Sequence, residues 1–296
     1  MGNILTKQFY RQRKDFEDSC AGRDAGLTFP EGVRCSTDIA YADDGIKAHL
    51  LDIYRPEDSQ EKILPVIINV HGGGLIIGNK EFNRYFCALL CKKGFLVYSI
   101  EYRLIPDCLI YDQIADVFMA MDYIKERLAA DGGDSSHVYM AGDSGGACLI
   151  TYANAIQNST NIARAANVTP SGLRINALGL ISGMFYTSRF DKIGLFLPKY
   201  LYGRDYKKTP FAKYVNPENR ELLNSLAPVW LVTSHNDFLR RYTTDFEKAL
   251  TRAEREHELV VFPKNKKLTH AFSVFEPFLP ESSAVIDMMV EYLRKF

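Results

Sequence analysis

The sequence has no excess of either charge and no long apolar run. Its 36 Lys and Arg residues balance 36 Asp and Glu residues, so the formal net charge is zero. This balance gives no electrostatic reason to expect nucleic acid or an anionic membrane as a partner. No apolar stretch approaches the roughly 20 residues that a helix needs to cross a bilayer. We therefore predict a protein that binds no nucleic acid and does not span a membrane.

The N-terminal segment lacks the apolar core of a signal peptide. It matches the loose Met-Gly-x-x-x-Ser/Thr pattern for myristoylation through Gly2 and Thr6, but a helical segment is the favoured interpretation. The six cysteines include no Cys-x-x-Cys pair, and Cys87 and Cys91, four residues apart, have no further clustered ligands. The cysteines therefore predict buried thiols in a cytoplasmic protein, with neither a disulfide framework nor a metal site.

The chain contains no internal repeat and no low-complexity linker. Near its start, two β-rich runs flank ADDG at 42–45, which predicts an antiparallel hairpin. Further along, continuous apolar runs alternate with amphipathic segments, as in strands buried on both faces and separated by helices. The apolar runs lie at 64–70, 95–102, 137–142, 177–183, 227–234 and 257–263, and the clearest helical segments at 111–130, 242–256 and 282–295. This order predicts an α/β fold with a mostly parallel central sheet and helices on both faces.

The run MAGDSGGACL places Ser144 between Gly142 and Gly146. Alone, a Gly-x-Ser-x-Gly pattern arises by chance in many loops. Here it directly follows a predicted strand and precedes a predicted helix, which is the context that a nucleophile elbow requires. The two glycines permit neighbouring backbone to pass close to the turn. The position of the motif therefore favours a nucleophilic serine.

A second glycine-rich segment, His71-Gly72-Gly73-Gly74, directly follows the predicted strand 64–70. Three successive glycines expose backbone N–H groups without side-chain obstruction, which suits the stabilisation of an oxyanion. The alternative is a flexible turn, but the combination with the Ser144 motif favours a hydrolytic site. We interpret His71 as a hydrogen-bonding residue that holds the glycine loop, not as a carrier of protons.

These motifs resemble those of the hormone-sensitive-lipase-type esterases, the α/β-hydrolases with an HGGG oxyanion loop. The resemblance runs from about residue 33 to the C-terminus. Three further segments are similar to the family's DYRLAP, GDSAGG and DPLRD motifs: Glu101-Tyr102-Arg103-Leu104-Ile105-Pro106, Gly142-Asp143-Ser144-Gly145-Gly146 and Asp237-Phe238-Leu239-Arg240. The sequence departs from the pattern where Leu75 replaces an aromatic residue, Gly145 an alanine and Phe238 a proline.

The resemblance implies an α/β-hydrolase fold with a helical cap over the site. We expect a single domain, 1–296, with the cap contributed by about 1–30 and 184–226. The segment 184–226 carries nine aromatic residues, which favour an apolar pocket wall, with a plain aromatic core as the alternative: Phe185, Tyr186, Phe190, Phe196, Tyr200, Tyr202, Tyr206, Phe211 and Tyr214. The resemblance also implies an oxyanion hole formed by the N–H groups of Gly73, Gly74 and Gly145, with His71 and Asp143 in support.

The general base for the serine and the acid that orients this base are inferred from their positions after predicted strands. In α/β-hydrolases the order along the chain is Ser, then Asp or Glu, then His, each on a loop that follows a strand. Beyond Ser144, His257 lies before a predicted strand and His235 is too close in sequence to the acid candidate. His270 is therefore favoured as the base. Asp237 follows a predicted strand and is favoured as the acid, with a helix N-cap as the alternative.

The sequence therefore predicts a cytoplasmic serine esterase that hydrolyses short-chain carboxylic esters of small molecules through an acyl-enzyme. Ser144 is the nucleophile, His270 the base and Asp237 the orienting acid, and no metal or organic cofactor is implied. Two alternatives stay open: an amidase or formamidase that uses the same site, and a non-catalytic ligand-binding protein on the same fold. The presence of all three triad residues argues against the second. The sequence leaves the natural substrate and the oligomeric state open.

Overall fold

A computed structural model describes residues 2–59 and 62–296. Within these residues one sheet contains eight strands: β1 (Val33–Ala40), β2 (Leu50–Pro56), β3 (Leu64–Val70), β4 (Leu96–Ile100), β5 (Gly133–Asp143), β6 (Leu178–Ile181), β7 (Val229–Ser234) and β8 (His257–Phe262). The order across the sheet is β1-β2-β4-β3-β5-β6-β7-β8. The pairs β1–β2 and β2–β4 are antiparallel, and the remaining pairs are parallel. The predicted mostly parallel sheet is confirmed.

The helices of the described residues are α1 (Gly2–Asp24), α2 (Arg84–Lys92), α3 (Ile110–Arg127), α4 (Ser144–Asn158), α5 (Thr160–Ala166), α6 (Lys192–Phe196), α7 (Pro198–Leu201), α8 (Arg220–Asn224), α9 (Arg240–Arg252), α10 (Phe272–Phe275) and α11 (Pro280–Leu293). Apolar residues of α3, α4 and α9 pack in one core cluster, and those of α2 and α11 pack in a second. Helices therefore cover both faces of the sheet, as predicted. No helix in this part of the chain combines the length and apolarity that crossing a bilayer requires.

Three details differ from the sequence-based expectations. Among the described residues, the strand β8 pairs with β7 alone and is partly exposed, because it forms an edge of the sheet. The connection between β1 and β2 is longer than a tight Asp-Gly turn, since Asp44 bonds the N–H of Ile46 and the ring of His49 before β2 begins. Cys87, Cys91 and Cys148 are buried, whereas the other cysteines are only partly buried: Cys20, Cys35 and Cys108.

The N-terminal myristoylation pattern includes Met1, which lies outside the described residues.

The parallel strands bring the predicted site residues to one edge of the sheet. The carboxyl ends of β3, β5, β7 and β8 lie at the same edge, because these strands run in the same direction. The glycine loop follows β3, Ser144 follows β5, Asp237 follows β7 and His270 follows β8. Ligands of open α/β sheets bind at this edge.

The N-terminal helix α1 is anchored to the loops at this edge. The Arg13 guanidinium donates to the carbonyl oxygens of Ile76 at 2.8 Å and Ile105 at 2.7 Å, and pairs with Asp107 at 2.7 Å. The buried Phe9 ring packs edge-to-face against Tyr200, with ring centroids 5.2 Å apart. Helix α1 and the segment 184–226 therefore contact each other.

A cluster of charged side chains around the buried Lys80 is linked by hydrogen bonds to the glycine loop. Lys80 is 2% exposed, and its ammonium lies 2.8 Å from an Asp38 carboxylate oxygen and 2.9 Å from one of Asp52. The Lys80 backbone N–H donates to Glu101 at 2.9 Å, and Glu101 in turn bonds the ring of His71. Burial raises the pKa of the Asp52 carboxyl even beside this ammonium. The cluster therefore joins β1 and β2 to the loop after β3.

We expect Lys80→Ala to lower the free energy of unfolding by about 3–5 kcal/mol, because Asp52 would remain buried without its counter-ion. Lys62→Ala is the control, since Lys62 is exposed and its ammonium lies 3.9 Å from a carboxylate oxygen of the exposed Asp58. The control should change stability by less than about 0.5 kcal/mol. Urea denaturation followed by circular dichroism measures both values. Equal effects of the two substitutions would contradict the role assigned to Lys80.

Candidate active site

Ser144 stands at a strained turn between β5 and α4. Its φ is 49°, in the left-handed region that side-chain-bearing residues rarely adopt. A Cβ at Gly146 would lie 2.1 Å from the carbonyl oxygen of Val70, and one at Gly142 would lie 2.8 Å from the same atom. Both positions therefore require glycine for the turn to pack against β3, as the sequence motif predicts.

The glycine loop packs directly on this turn. Gly73 and Gly74 have φ values of 109° and 62°, which favour glycine. The Gly72 N–H donates to an Asp143 carboxylate oxygen at 3.0 Å. A Cβ at Gly145 would lie 3.0 Å from the backbone nitrogen of Gly74. The backbone of the loop and the backbone of the turn therefore meet beside Ser144.

His71 holds the base of the loop and is fully buried. Its Nε2 lies 2.8 Å from a Glu101 carboxylate oxygen and its Nδ1 2.7 Å from the Gly72 carbonyl oxygen. The Tyr102 ring stacks on the imidazole with centroids 4.4 Å apart, and its hydroxyl donates to the His71 carbonyl at 2.9 Å. Burial alone would lower the pKa of the imidazole, but the Glu101 carboxylate outweighs this effect and raises the pKa. These contacts are those of a residue that fixes the loop.

Asp143 joins the loop to a residue that the sequence did not single out. The carboxylate oxygen that accepts from Gly72 also accepts from the Asn83 side-chain amide at 3.0 Å. Burial raises the pKa of the Asp143 carboxyl, against the opposing hydrogen bond from Asn83. No motif marks Asn83, because the contact depends on the packing of the chain after the glycine loop.

His270 and Asp237 form a direct pair. The His270 Nδ1 lies 2.7 Å from an Asp237 carboxylate oxygen. Asp237 also accepts from the Thr233 hydroxyl and from the Leu239 N–H, each at 2.8 Å. Burial alone would raise the pKa of the Asp237 carboxyl, but the hydrogen bond and the charge of His270 outweigh it and lower the pKa. This arrangement keeps Asp237 ionised beside the imidazole.

The other two histidines beyond Ser144 lie elsewhere. His235 is exposed, and its Nδ1 lies 2.8 Å from the Arg240 guanidinium. His257 begins β8, and its Nδ1 lies 2.7 Å from the Arg255 carbonyl oxygen. His257 is therefore at the opposite end of β8 from His270.

Ser182, at the end of β6, is a second residue that the sequence did not single out. It is buried with a φ of 50°. Its hydroxyl oxygen accepts from the Ala271 N–H at 3.1 Å, and the hydroxyl is also hydrogen-bonded to the Asp237 carboxylate. Because a hydroxyl has one proton, that proton goes to Asp237. Ser182 therefore links the acid loop to the base loop, and the only sequence signal was a polar residue ending an apolar run.

These groups open onto a cavity of about 570 Å³. The residues that line it include Ser144, His270, Gly73 and Gly74. The walls are largely apolar and come from α1, the glycine loop, the segment 184–226 and the loops around Asp237 and His270: Phe9, Phe16, Ile76, Ile77, Met184, Ile193, Phe196, Leu197, Phe238, Leu239 and Phe275. Lys192 and Asp143 also line it.

The aromatic residues of 184–226 mostly form a core instead of a pocket wall. Only Phe196 of the nine lines the cavity. Tyr186 donates to Glu218 at 2.8 Å, and Tyr214 donates to Glu221 at 2.7 Å. Tyr202 lies 2.7 Å from the Thr187 hydroxyl. These three tyrosine hydroxyls therefore bond within the protein, and the alternative of an aromatic core describes this segment better.

The sequence of this chain is similar to that of a known protein family. A family model described as alpha/beta hydrolase fold matches residues 67–273. The chain belongs to this family. The matched residues include the glycine loop, Ser144, Asp237 and His270. The family membership predicted from the sequence motifs is thereby confirmed.

Relatives in the alpha/beta hydrolase family include proteins named as esterases. A probable isoprenylcysteine alpha-carbonyl methylesterase of Oryza sativa subsp. japonica is 29% identical over 184 residues, which are 58% of this chain and 44% of that protein. Esterase LipQ of Mycobacterium tuberculosis is 33% identical over 120 residues, 40% of this chain and 28% of that protein. The chain thus spans less than half the length of these relatives.

Solved structures show the same fold over nearly the whole chain. Esterase B from Lactobacillus rhamnosis superposes with a TM-score of 0.92 at 22% identity, covering 99% of this chain and 95% of that one. A bacterial heroin esterase superposes with a TM-score of 0.73 at 22% identity, covering 98% and 92%. The α/β-hydrolase fold predicted from the sequence is thereby confirmed.

We expect Ser182→Ala to lower the free energy of unfolding by about 1.5–3 kcal/mol at pH 7, because a hydrogen bond to a buried carboxylate is lost. The pKa of Asp237 is lowered by folding, so its stabilising contribution is present above its ordinary pKa and is lost as the pH falls through the folded value. The loss in the free energy of unfolding caused by Ser182→Ala should therefore become smaller as the pH is lowered from 7 to 3. Urea denaturation across this range measures it.

Ser273→Ala is the matched control for this prediction. Ser273 is buried, and its hydroxyl has no hydrogen-bond partner in the described part of the chain. Its substitution should change stability by a similar small amount at every pH. A cost of Ser182→Ala that stays constant from pH 7 to pH 3 would contradict the link between Ser182 and the ionised Asp237.

Proposed function

We propose that the protein is a serine esterase that hydrolyses short-chain carboxylic esters of small molecules. The observation that carries this proposal is the pairing of His270 with a buried, ionised Asp237 in the cavity that also contains the strained Ser144. This combination supplies a nucleophile, a base and an orienting acid. The names of the relatives as esterases support the same activity.

The mechanism follows from the positions of the three side chains. The Ser144 hydroxyl oxygen attacks the ester carbonyl carbon while His270 takes the hydroxyl proton. His270 then gives this proton to the leaving alcohol, and an acyl-enzyme remains on Ser144. Water, deprotonated by His270, attacks the acyl carbon; the bond to the Ser144 oxygen then breaks, His270 returns the proton to that oxygen, and the acid is released. Asp237 holds the His270 Nδ1–H and stabilises the imidazolium that forms in each step.

The glycine loop provides hydrogen-bond donors for the oxyanion of the tetrahedral intermediate. We assign the backbone N–H groups of Gly73, Gly74 and Gly145 to the carbonyl oxygen of the tetrahedral intermediate. The contact between Gly74 and Gly145 supports this role, because it brings loop and turn together beside Ser144. The His71 imidazole bonds the Gly72 carbonyl oxygen, and the Asp143 carboxylate accepts from the Gly72 N–H. These bonds fix the loop in advance, so little reorganisation is needed when the charge develops.

The segments 1–30 and 184–226 act as the cap of a single-domain enzyme. Phe9 and Phe16 from the first segment and Ile193, Phe196 and Leu197 from the second line the cavity. The Arg13 anchor holds the first segment against the loops of the sheet edge. A cavity with anchored walls limits the length of the acyl chain that can enter it.

We expect a fluorophosphonate to form a covalent adduct at Ser144, since the reagent places an electrophilic phosphorus where the carbonyl carbon reacts. Ser144→Ala should abolish the adduct and ester hydrolysis while the fold stays intact. His270→Ala should slow labelling by at least about a hundredfold, the usual contribution of a general base. Intact-mass measurement and peptide mapping give the site and the rate.

His235→Ala is the control for the base. His235 follows the same strand as Asp237 but bonds Arg240 outside the cavity, so labelling should proceed at the wild-type rate. A loss of labelling in His235→Ala with retention in His270→Ala would show that the wrong base has been assigned. An adduct on another serine would reject Ser144 as the nucleophile.

We expect the preferred acyl chains to have roughly two to six carbons. Each methylene should raise kcat/KM about fourfold, the equivalent of ~0.8 kcal/mol of burial, until the cavity is full, after which the rate should fall. The measurement is kcat/KM for 4-nitrophenyl esters from acetate to palmitate, with matched anilides to test for amidase activity. A maximum at ten carbons or beyond, with activation above the critical micelle concentration, would indicate a lipase instead.

A further inference from the structure

Phe238 is a large apolar side chain left mostly in solvent beside His270. It is 74% exposed, although its chain neighbours Asp237 and Leu239 are both buried. Its ring centroid lies 4.4 Å from that of the His270 imidazole, at an interplanar angle of 44°. Because so little of its surface is buried, packing alone does not account for its position; the side chain lines the cavity, and its ring contacts the imidazole there.

The backbone holds Phe238 in this position. The Leu239 N–H donates to the Asp237 carboxylate at 2.8 Å, which closes a tight loop around Phe238. The same carboxylate bonds the His270 Nδ1 at 2.7 Å. Asp237 thus contacts a ring nitrogen of the imidazole, while the next residue in the chain contacts the ring itself.

An aromatic ring interacts differently with the two charge states of a histidine. The π face of an aromatic ring attracts a cation within about 6 Å of its centroid, and it gives a neutral imidazole no such attraction. In the proposed mechanism His270 is neutral before Ser144 attacks and becomes an imidazolium as it takes the proton. An interaction that is stronger in the charged state lowers the barrier without tightening substrate binding.

We propose that Phe238 is a positioning residue that stabilises the imidazolium form of His270. The inference rests on the proposed function, since it assigns the proton transfer to His270. It also gives a role to a position where the sequence departs from the proline of the family it resembles.

The test compares Phe238→Leu, which keeps an apolar side chain but has no π face, with Phe238→Tyr, which retains the ring. Phe238→Leu should lower kcat for 4-nitrophenyl butyrate about two- to fivefold with KM unchanged. The midpoint of the acidic limb of its pH–rate profile should move down by roughly 0.4–0.7 pH unit, because the imidazolium loses stabilisation. Phe238→Tyr keeps the π face, so its acidic limb should stay at the wild-type midpoint and its kcat should exceed that of Phe238→Leu.

Other charged groups near His270 stay constant in this comparison. The Asp237 carboxylate bonds the ring, the Asp143 carboxylate acts on it through its charge, and Lys192 lines the same cavity. None of them is replaced, so a shift of the acidic limb reports on Phe238. Phe190→Leu is the matched control, since Phe190 is 91% exposed and lies outside the cavity lining. It should change neither kcat nor the pH profile.

The outcomes separate this inference from the proposed function. If Phe238→Leu keeps the wild-type kcat and pH profile while Ser144 still labels, the inference is overturned and the esterase proposal stands. A rise in KM at constant kcat would overturn it too, because it would show direct contact with substrate. If the wild-type protein neither labels at Ser144 nor hydrolyses any ester, the proposed function itself fails.

Discussion

The close approach of two backbones determines the arrangement of the candidate site. The carbonyl oxygen of Val70, at the end of β3, lies where a Cβ of Gly146 would come within 2.1 Å of it. Only a glycine allows this packing. It brings Asp143 to the Gly72 N–H and Gly145 to the Gly74 nitrogen, so the serine turn and the glycine loop form one unit. Their relative position is therefore set by close main-chain packing together with the hydrogen bond from the Gly72 N–H to the Asp143 side chain.

Backbone strain is concentrated at this edge of the sheet. Leu75, Ser144, Ser182 and Ala271 all have φ values between 49° and 68°. Each such residue costs on the order of 1–3 kcal/mol and persists only where its surroundings fix it. The Ser144 carbonyl accepts from the Met184 N–H at 2.9 Å, and the Leu75 carbonyl accepts from the Ile105 N–H at 3.0 Å. Hydrogen bonds between neighbouring loops thus hold the strained residues in place.

Much of this arrangement could be predicted from the sequence. Buried parallel strands are apolar on both faces, so β3 and β7 stand out as continuous apolar runs, and the loops that follow them carry His71 and Asp237. The run that forms β8 was predicted as a strand too, but the expectation that it is buried on both faces was wrong, because β8 is an edge strand whose residues are partly exposed. The chain order and the places after predicted strands led to the prediction of Ser144, Asp237 and His270, and these residues follow strands whose carboxyl ends meet at one edge of the sheet.

The residues that the sequence did not reveal act through tertiary contacts. Asn83 reaches Asp143 across 60 positions, and Ser182 reaches Ala271 across 89. No local pattern marks such partners. The aromatic residues of 184–226 were visible as a group, but composition does not indicate which way a ring faces. Tyr186 and Tyr214 find carboxylate partners, Glu218 and Glu221, within 2.8 Å and face away from the cavity.

The residues of the cavity wall come from distant parts of the chain, which has a consequence for folding during synthesis. Its lining extends along the chain from Phe9 in α1 to Phe275 in α10. During synthesis on a ribosome, Phe9 emerges long before Phe275, so the apolar face of α1 has no complete partner surface until nearly the whole chain has been made. Long-range contacts of this kind form late and leave apolar surface exposed while the chain is incomplete. A nascent or truncated chain therefore leaves this apolar surface uncovered, and it cannot enclose a substrate before the C-terminal part has folded.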